Sequence, residues 1–192
     1  MEMFKKFNSN KNFILARIIE IFSIDPKKDL GKPLFEVVSG MVPNVNVDLL
    51  CYDSSNRFAL VYRHDRFYGP GWHIPGGVLR FKERLENRLT LTAKRELQIN
   101  SITEISKINI SEIFAKDRDV RGHFISFLFR AKSKELDKNG NFNPRTNYEN
   151  GSIAMFSKPP NNLIEQHKRF AHIMGRGFKK GVKPDSFITS NL

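Results

Sequence analysis

The run from Gly76 to Ile99, GGVLRFKERLENRLTLTAKRELQI, follows the turn-forming segment Gly69-Pro70-Gly71-Trp72-His73-Ile74-Pro75. A glycine-rich loop is thus set directly against an amphipathic helix that ends in a glutamate. On a wheel of 100° per residue, Leu85, Leu89 and Thr92 share one face, and Glu96 falls within about 20° of its centre. A carboxylate on a core-facing position costs several kcal/mol unless it meets a cation, an arginine or solvent at the helix end. Glu96 is therefore either a metal ligand or half of an ion pair with a lysine or arginine near the helix terminus. Paired glycines permit positive φ and close backbone approach, and Pro75 pre-sets the turn. A carbonyl of such a loop can face a metal-bound diphosphate.

Other ionisable residues stand where chemistry or pairing would explain them. Asp48 sits among Val45, Val47, Leu49 and Leu50, and is read either as a substrate contact or as the partner of an arginine. Arg63 shares a strand face with Ala59 and Val61, and its guanidinium could fork onto phosphate or sugar oxygens, or pair with Asp48. His123 opens a Phe-Ile-Ser-Phe-Leu-Phe run, which suits a neutral imidazole at a sheet end as well as substrate contact or acid-base work. His73 follows Trp72 in the turn and is placed to line a pocket, whereas His64, His167 and His172 form no recognisable constellation. Paired Cys/His spacing for zinc is absent from the sequence.

The segment resembles the Nudix hydrolases, whose box reads G-x5-E-x7-R-E-U-x-E-E-x-G-U with U apolar. With Gly77 as its first position, Glu83 matches the first glutamate, Glu96 the last of the acidic pair and Ile99 the closing apolar position, without a gap. Leu91 stands for the arginine, Thr92 for the next glutamate, Arg95 for the first of the acidic pair and Gln98 for the glycine. Loss of these carboxylates is similar to the subgroup of GDP-mannose mannosyl hydrolases, as are Val47-Asp48-Leu49, Arg63 thirteen residues before Gly76, and Gly71-Trp72-His73-Ile74-Pro75-Gly76-Gly77. The similarity covers roughly residues 42 to 130. It implies a single Mg²⁺ held by Glu96 and the Gly76 carbonyl, with Glu83 as a further candidate ligand. Asp48, Arg63, Trp72 and Arg80 would bind substrate, Arg80 replacing a family arginine where this chain has Val78. Glu96 and Arg63 would serve catalysis. The family's histidine base is missing from Lys132 to Gly151, which leaves Glu149, beside Tyr148, or His123 to take the proton.

The implied reaction is Mg²⁺-dependent hydrolysis of a nucleoside-diphosphate sugar by water attack at the anomeric carbon. A pyrophosphohydrolase of a nucleoside diphosphate derivative, capped RNA included, and a non-catalytic module binding nucleotide or RNA are the alternatives.

The elements that must position these residues follow from pattern. Val45–Tyr52 and Arg57–Arg63 read as paired strands across Asp53-Ser54-Ser55-Asn56, and a loop runs on to Pro75. A helix is expected from Glu83 to Leu97, strands at Ile105–Ala115, His123–Ala131 and Ile153–Phe156, and a closing helix at Asn161–Ile173. Lys132–Gly151 is polar and Asn-rich, and reads as a long loop. This order indicates an α/β (α+β) fold, an α/β/α sandwich around a mixed β-sheet. Residues 1–40 read as a helical extension, with Phe13–Phe22 packed on the domain and a break at Asp25–Pro33. Residues 41–175 form the hydrolase domain, and 176–192 a basic tail for which a solvated role is favoured over nucleic-acid contact.

With 192 residues, there is material for one filled core of roughly 150 residues plus appendages. The formal charge of +12, from 32 Lys+Arg against 20 Asp+Glu, favours polyanionic partners and leaves few carboxylates for a metal cage. Lone Cys51, in an apolar strand, is expected in the core of a protein from a reducing compartment, the cytoplasm. Neither a membrane span nor a signal peptide is expected, and a homodimer is left open.

Overall fold

The computed structural model describes residues 11, 13–20, 25, 30–138, 148–177 and 188–191. At its centre lies β1 (Asn44–Tyr52), which runs parallel to β6 (His123–Lys132) along its whole length, from Asn44↔Phe124 to Tyr52↔Lys132. Its other edge is shared by two strands. β2 (Phe58–Arg63) meets it at Tyr52↔Phe58, and the short β4 (Gly76–Val78) pairs antiparallel through Asn46↔Val78, Val47↔Gly77 and Asp48↔Gly76. β2 also holds β3 (Gly71–His73) and β7 (Ile153–Phe156), both antiparallel. Beyond β6 come β5 (Thr103–Phe114), antiparallel, and β8 (Ile188–Asn191), parallel to β5. The sheet is mixed, as the element order requires.

Alternation along β1 divides the interior into two cores. Val47, Leu49 and Cys51 face one side and pack with Leu89, Ala93, Leu97 and Ile99; Leu50 and Tyr52 face the other and meet Leu163, Phe170, Ile173 and Met174. Asn46 and Asp48 share the parity of Leu50 and Tyr52, so one end of that strand face is polar and the other apolar.

Helix α2 (Leu85–Glu96) buries Arg88, Leu89, Thr92 and Ala93, and complements its macrodipole with Glu86 in the first turn and Lys94 and Arg95 in the last. It ends where Gln98 turns into the left-handed region at φ 57°. That is the position at which the family box carries glycine, so the box's glycine has a backbone reason.

Several expectations are corrected. The loop before Pro75 contains β3, and the Gly-Gly turn is itself strand β4. Neither Gly76 nor Gly77 is among the positive-φ residues, so left-handed backbone is not what they supply. Residues 13–20 are helical but exposed, with Phe13 62% and Leu15 58% accessible, rather than packed on the domain; Ile21 and Phe22 lie outside the described residues. The break expected at 25–33 yields its last two residues to helix α1 (Lys32–Ser39), which carries Pro33 in its first turn and is joined to the domain when Ser39 Oγ accepts the Arg121 N–H; residues 26–29 lie outside the described residues. Within the polar segment, α3 (Glu135–Lys138) is formed, and 139–147 lie outside the described residues. The closing helix is two short pieces, α4 (Glu165–Lys168) and α5 (Ala171–Met174), and the basic tail ends in β8. Most of its basic run, from Phe178 onward, is not described.

Because Gln98 is exposed and adopts a backbone that L side chains disfavour, Gln98→Gly is expected to raise stability by about 0.5–1 kcal/mol in urea denaturation. A loss of stability would mean that the Gln98 side chain holds the helix end.

Candidate active site

Strand β4 lies over β1 so closely that a Cβ on Gly76 would stand 2.0 Å from Asp48 Oδ1. Glycine is required there for approach. Asp48 is 3% exposed, and Ser126 Oγ of β6 donates to its Oδ2. Burial pushes its carboxyl up to about 7; the Ser126 hydrogen bond opposes the rise and the nearby Glu96 charge reinforces it. Beneath Gly77 lies the buried Arg88, 3.3 Å from where a Cβ would be.

A cavity of about 520 Å³ opens beside this crossing. Asn46 and Asp48 of β1, Arg63, His73, Gly76 to Val78, Arg95, Glu96, Arg121 and His167 are among the residues lining it. His73 Nδ1 is 2.7 Å from the Val61 carbonyl, which can only accept, so the ring proton sits on Nδ1. In the neutral ring, Nε2 then presents a lone pair to Glu96 Oε2 at 3.2 Å, an encounter stabilised by a proton or a cation shared between them. His167 is the complementary tautomer: the Ile74 N–H donates to its Nδ1, leaving the proton on Nε2. Burial, with His73 and the charges of Arg63 and Arg169, keeps His167 well below the ordinary histidine value. One imidazole in the cavity therefore carries an acceptor on Nε2 and the other a donor.

A second cavity of similar volume shares Gly76, Gly77, Val78, Arg95 and Glu96 with the first. Its walls are largely apolar, from Phe35 and Val38 of α1 to Phe81 and Leu91, and Arg80 and Thr92 lie on it too.

The sequence candidates separate accordingly. Asp48, Arg63, Gly76 and Glu96 converge on the first cavity, whereas Arg80 lies in the second. Glu83 is turned away from Glu96: its Oε2 accepts from Arg88 Nε at 2.9 Å, from an Arg88 terminal nitrogen at 2.6 Å and from the Arg80 N–H at 3.0 Å. It fastens the loop to the helix and lines neither cavity. Trp72 is 2% exposed in the second core, edge-on to Tyr62, Tyr148 and Phe156, so it is a packing residue and not a substrate contact. Arg63 pairs with Asp65 rather than Asp48. His123 stacks on Phe114 and faces Glu112 at 3.2 Å, on a third hollow separate from Glu96. Glu149 is exposed in the turn before β7 and does not line the cavity, although Asn150 and Gly151 do.

Sequence reasoning missed Asp65, Arg88, Arg121 and His167. Arg88 had a signal, since it lies on the helix five residues after Glu83, and Asp65 lies two residues after Arg63; Arg121 and His167 are brought in from distant parts of the chain. The residues present suit a hard divalent cation: the Glu96 carboxylate lines the same cavity as Gly76, where any Cβ would collide with Asp48 Oδ1. Among the described residues there is no group of three or more His, Cys, Asp and Glu to form a larger cage, and no helix long and apolar enough to cross a membrane.

No protein-family model matches the sequence, and no curated protein does. Solved structures do match. A MutT protein from Methanosarcina mazei Go1 is 15% identical, covering 70% of this chain and 94% of that one, with a TM-score of 0.50. A NUDIX hydrolase from Nitrosomonas europaea is 17% identical, covering 78% and 80%, with a TM-score of 0.52. The fold is that of the Nudix hydrolases. Identities this low speak for the fold alone.

The raised Asp48 carboxyl has a measurable consequence. Between its unfolded value near 3.8 and about 7, the folded chain retains a proton that the unfolded chain has released. Stability contributed by this group therefore falls as pH rises through that window, by up to roughly 1.4 kcal/mol per pH unit. In chelator, Asp48→Asn is expected to be more stable than wild type at pH 8, the gap closing toward pH 4. Lower stability of the variant at pH 8 would show that the carboxylate itself holds β4 in place.

Proposed function

We propose that this Nudix-fold chain is an Mg²⁺-dependent hydrolase of a nucleoside-diphosphate sugar, releasing nucleoside diphosphate and free sugar. The observation that carries the reading is the solitude of Glu96. It is the one carboxylate that α2 brings to the cavity, while Leu91, Thr92 and Arg95 occupy the positions where the family box holds its arginine and further glutamates. A dense carboxylate cluster suits attack at phosphorus. A single carboxylate beside a glycine carbonyl suits an ion that only needs to neutralise a leaving group.

Glu96 and the Gly76 carbonyl would hold the Mg²⁺, which when bound supplies charge neutralisation at the departing diphosphate. Arg63, on the wall of the same cavity, can fork onto a phosphate or sugar-borne oxygen of the substrate. Water attacks the anomeric carbon; its oxygen becomes the new sugar hydroxyl, its proton passes to a cavity base, and the electron pair of the broken C–O bond leaves with the diphosphate. The acceptors that the cavity offers for that proton are His73 Nε2 and the Asp48 carboxylate. We place the catalytic unit at residues 41–175, with α1 of the preceding extension walling the second cavity.

Glu96→Gln keeps the shape and removes the charge, and is expected to lower Mg²⁺-dependent turnover tenfold to a hundredfold with circular dichroism unchanged, on the scale of about 3 kcal/mol for such an electrostatic contribution. Full activity would overturn the metal assignment. In ¹⁸O-labelled water, mass spectrometry is expected to find the label on the sugar and none on the nucleoside diphosphate. Label on a nucleoside monophosphate or sugar phosphate would instead support cleavage between phosphates.

A further inference from the structure

Tyr68 lies on the wall of the first cavity and gathers three guanidinium groups: Arg63 at 4.5 Å from the ring centroid, Arg118 at 4.7 Å and Arg121 at 5.4 Å. Arg121 also lies 4.9 Å from the Phe67 ring and 5.5 Å from Phe35 of α1. Negative charge nearby is scarce. Asp65 accepts from Arg63 and from the N–H groups of Phe67 and Tyr68, so it is committed within its own loop. Asp117 reaches Arg118 only at 4.0 Å and is 81% exposed, where an ion pair contributes little.

Cations crowded on one ring repel each other, and an aromatic face offsets only part of that repulsion. Burial, together with Arg63 and Arg118, works against the charge on Arg121, which Tyr68 and Asp65 favour. Two guanidinium nitrogens, Arg121 Nε and an Arg118 terminal nitrogen, are buried without a hydrogen-bond partner. An unmatched buried donor is destabilising, and more so when charged. An oxyanion in the first cavity would relieve the repulsion through Arg63 and Arg121, which line it, while Arg118, which lines the third hollow, adds its charge across Tyr68.

We propose that Arg63 and Arg121, backed by Arg118, form an oxyanion subsite in this cavity, so that the substrate carries a second anionic group, phosphoryl or carboxylate, beyond the diphosphate held at Glu96. This rests on the proposed hydrolase reading for the identity of the diphosphate, but not for the existence of the subsite. A sugar bearing a carboxylate, as in a nucleoside-diphosphate uronic acid, meets the requirement. A phosphoryl group on the nucleoside meets it equally.

The first test needs no turnover. Inorganic phosphate is titrated in chelator into wild type, Arg118→Gln, Arg121→Lys and Arg121→Ala, with affinity read by calorimetry and by the phosphate-dependent shift of the melting temperature. Affinity is expected to fall at least tenfold in Arg121→Ala and threefold or more in Arg118→Gln, with partial retention in Arg121→Lys. Should Arg121→Ala fail to fold, the other two variants decide. Phosphate affinity unchanged in Arg118→Gln and Arg121→Lys would overturn the subsite. The second test compares kcat/KM for a nucleoside-diphosphate uronic acid, the matching neutral hexose and its nucleoside 3′-phosphate derivative. At least tenfold preference for one anionic substrate, diminished in Arg118→Gln, is expected and names the source of the anion; equal rates for all three would overturn the specificity. Phosphate binding lost as expected, with no substrate hydrolysed, would refute the hydrolase reading and leave the subsite standing.

Discussion

The contact between the Asp48 carboxylate and the backbone of Gly76 is the constraint on which the site depends. It brings a short strand against the middle of the sheet at a distance that excludes any side chain. From that strand the chain passes through Val78 and Leu79 into α2, and the helix in turn carries Glu96 back to the same point. The loop is tied down at its other end by Glu83 and Arg88, whose paired charges are largely removed from water. Replacing either partner would strand the other, which is more damaging than the pair is stabilising.

Electrostatics are divided across the cavity. Asp48 and Glu96 raise negative potential on the side of the glycine strand, enough to contribute to holding the Asp48 proton. Arg63, Arg118 and Arg121 raise positive potential around Tyr68. Between them stand two imidazoles in opposite tautomers, each fixed by a backbone group: His73 by the Val61 carbonyl and His167 by the Ile74 amide. Such separation is suited to a ligand that is anionic along its length and needs a cation only at one end.

Much of this was legible in residue patterns. The alternation of β1, the period of α2 and the glycine run located the sheet, the helix and the loop to within a few residues. Glu96 stood out because a carboxylate on a buried helix face is costly. Glu83 was misplaced because its spacing suits a ligand, whereas Arg88, five residues further along, captures it first. Trp72 read as a site residue by its neighbours in sequence, but its alternation in β3 sends the ring into the core with Tyr62 and Tyr148. Glu149 and His123 were chosen by elimination along the chain, and elimination takes no account of where a loop points.

Local sequence determined this protein's elements and singled out Glu96 on its helix, because period, parity and glycine placement act over a few residues and leave a mark there. Only the tertiary structure decided which charges meet. Asp65 answers to Arg63, two residues before it, but Arg121 and His167 come from separate parts of the chain, and nothing in their immediate neighbours marks them. Their roles arise from the parallel pairing of β1 with β6 and the folding back of α4 onto β3, contacts that depend on the packing of the whole chain rather than on any window within it.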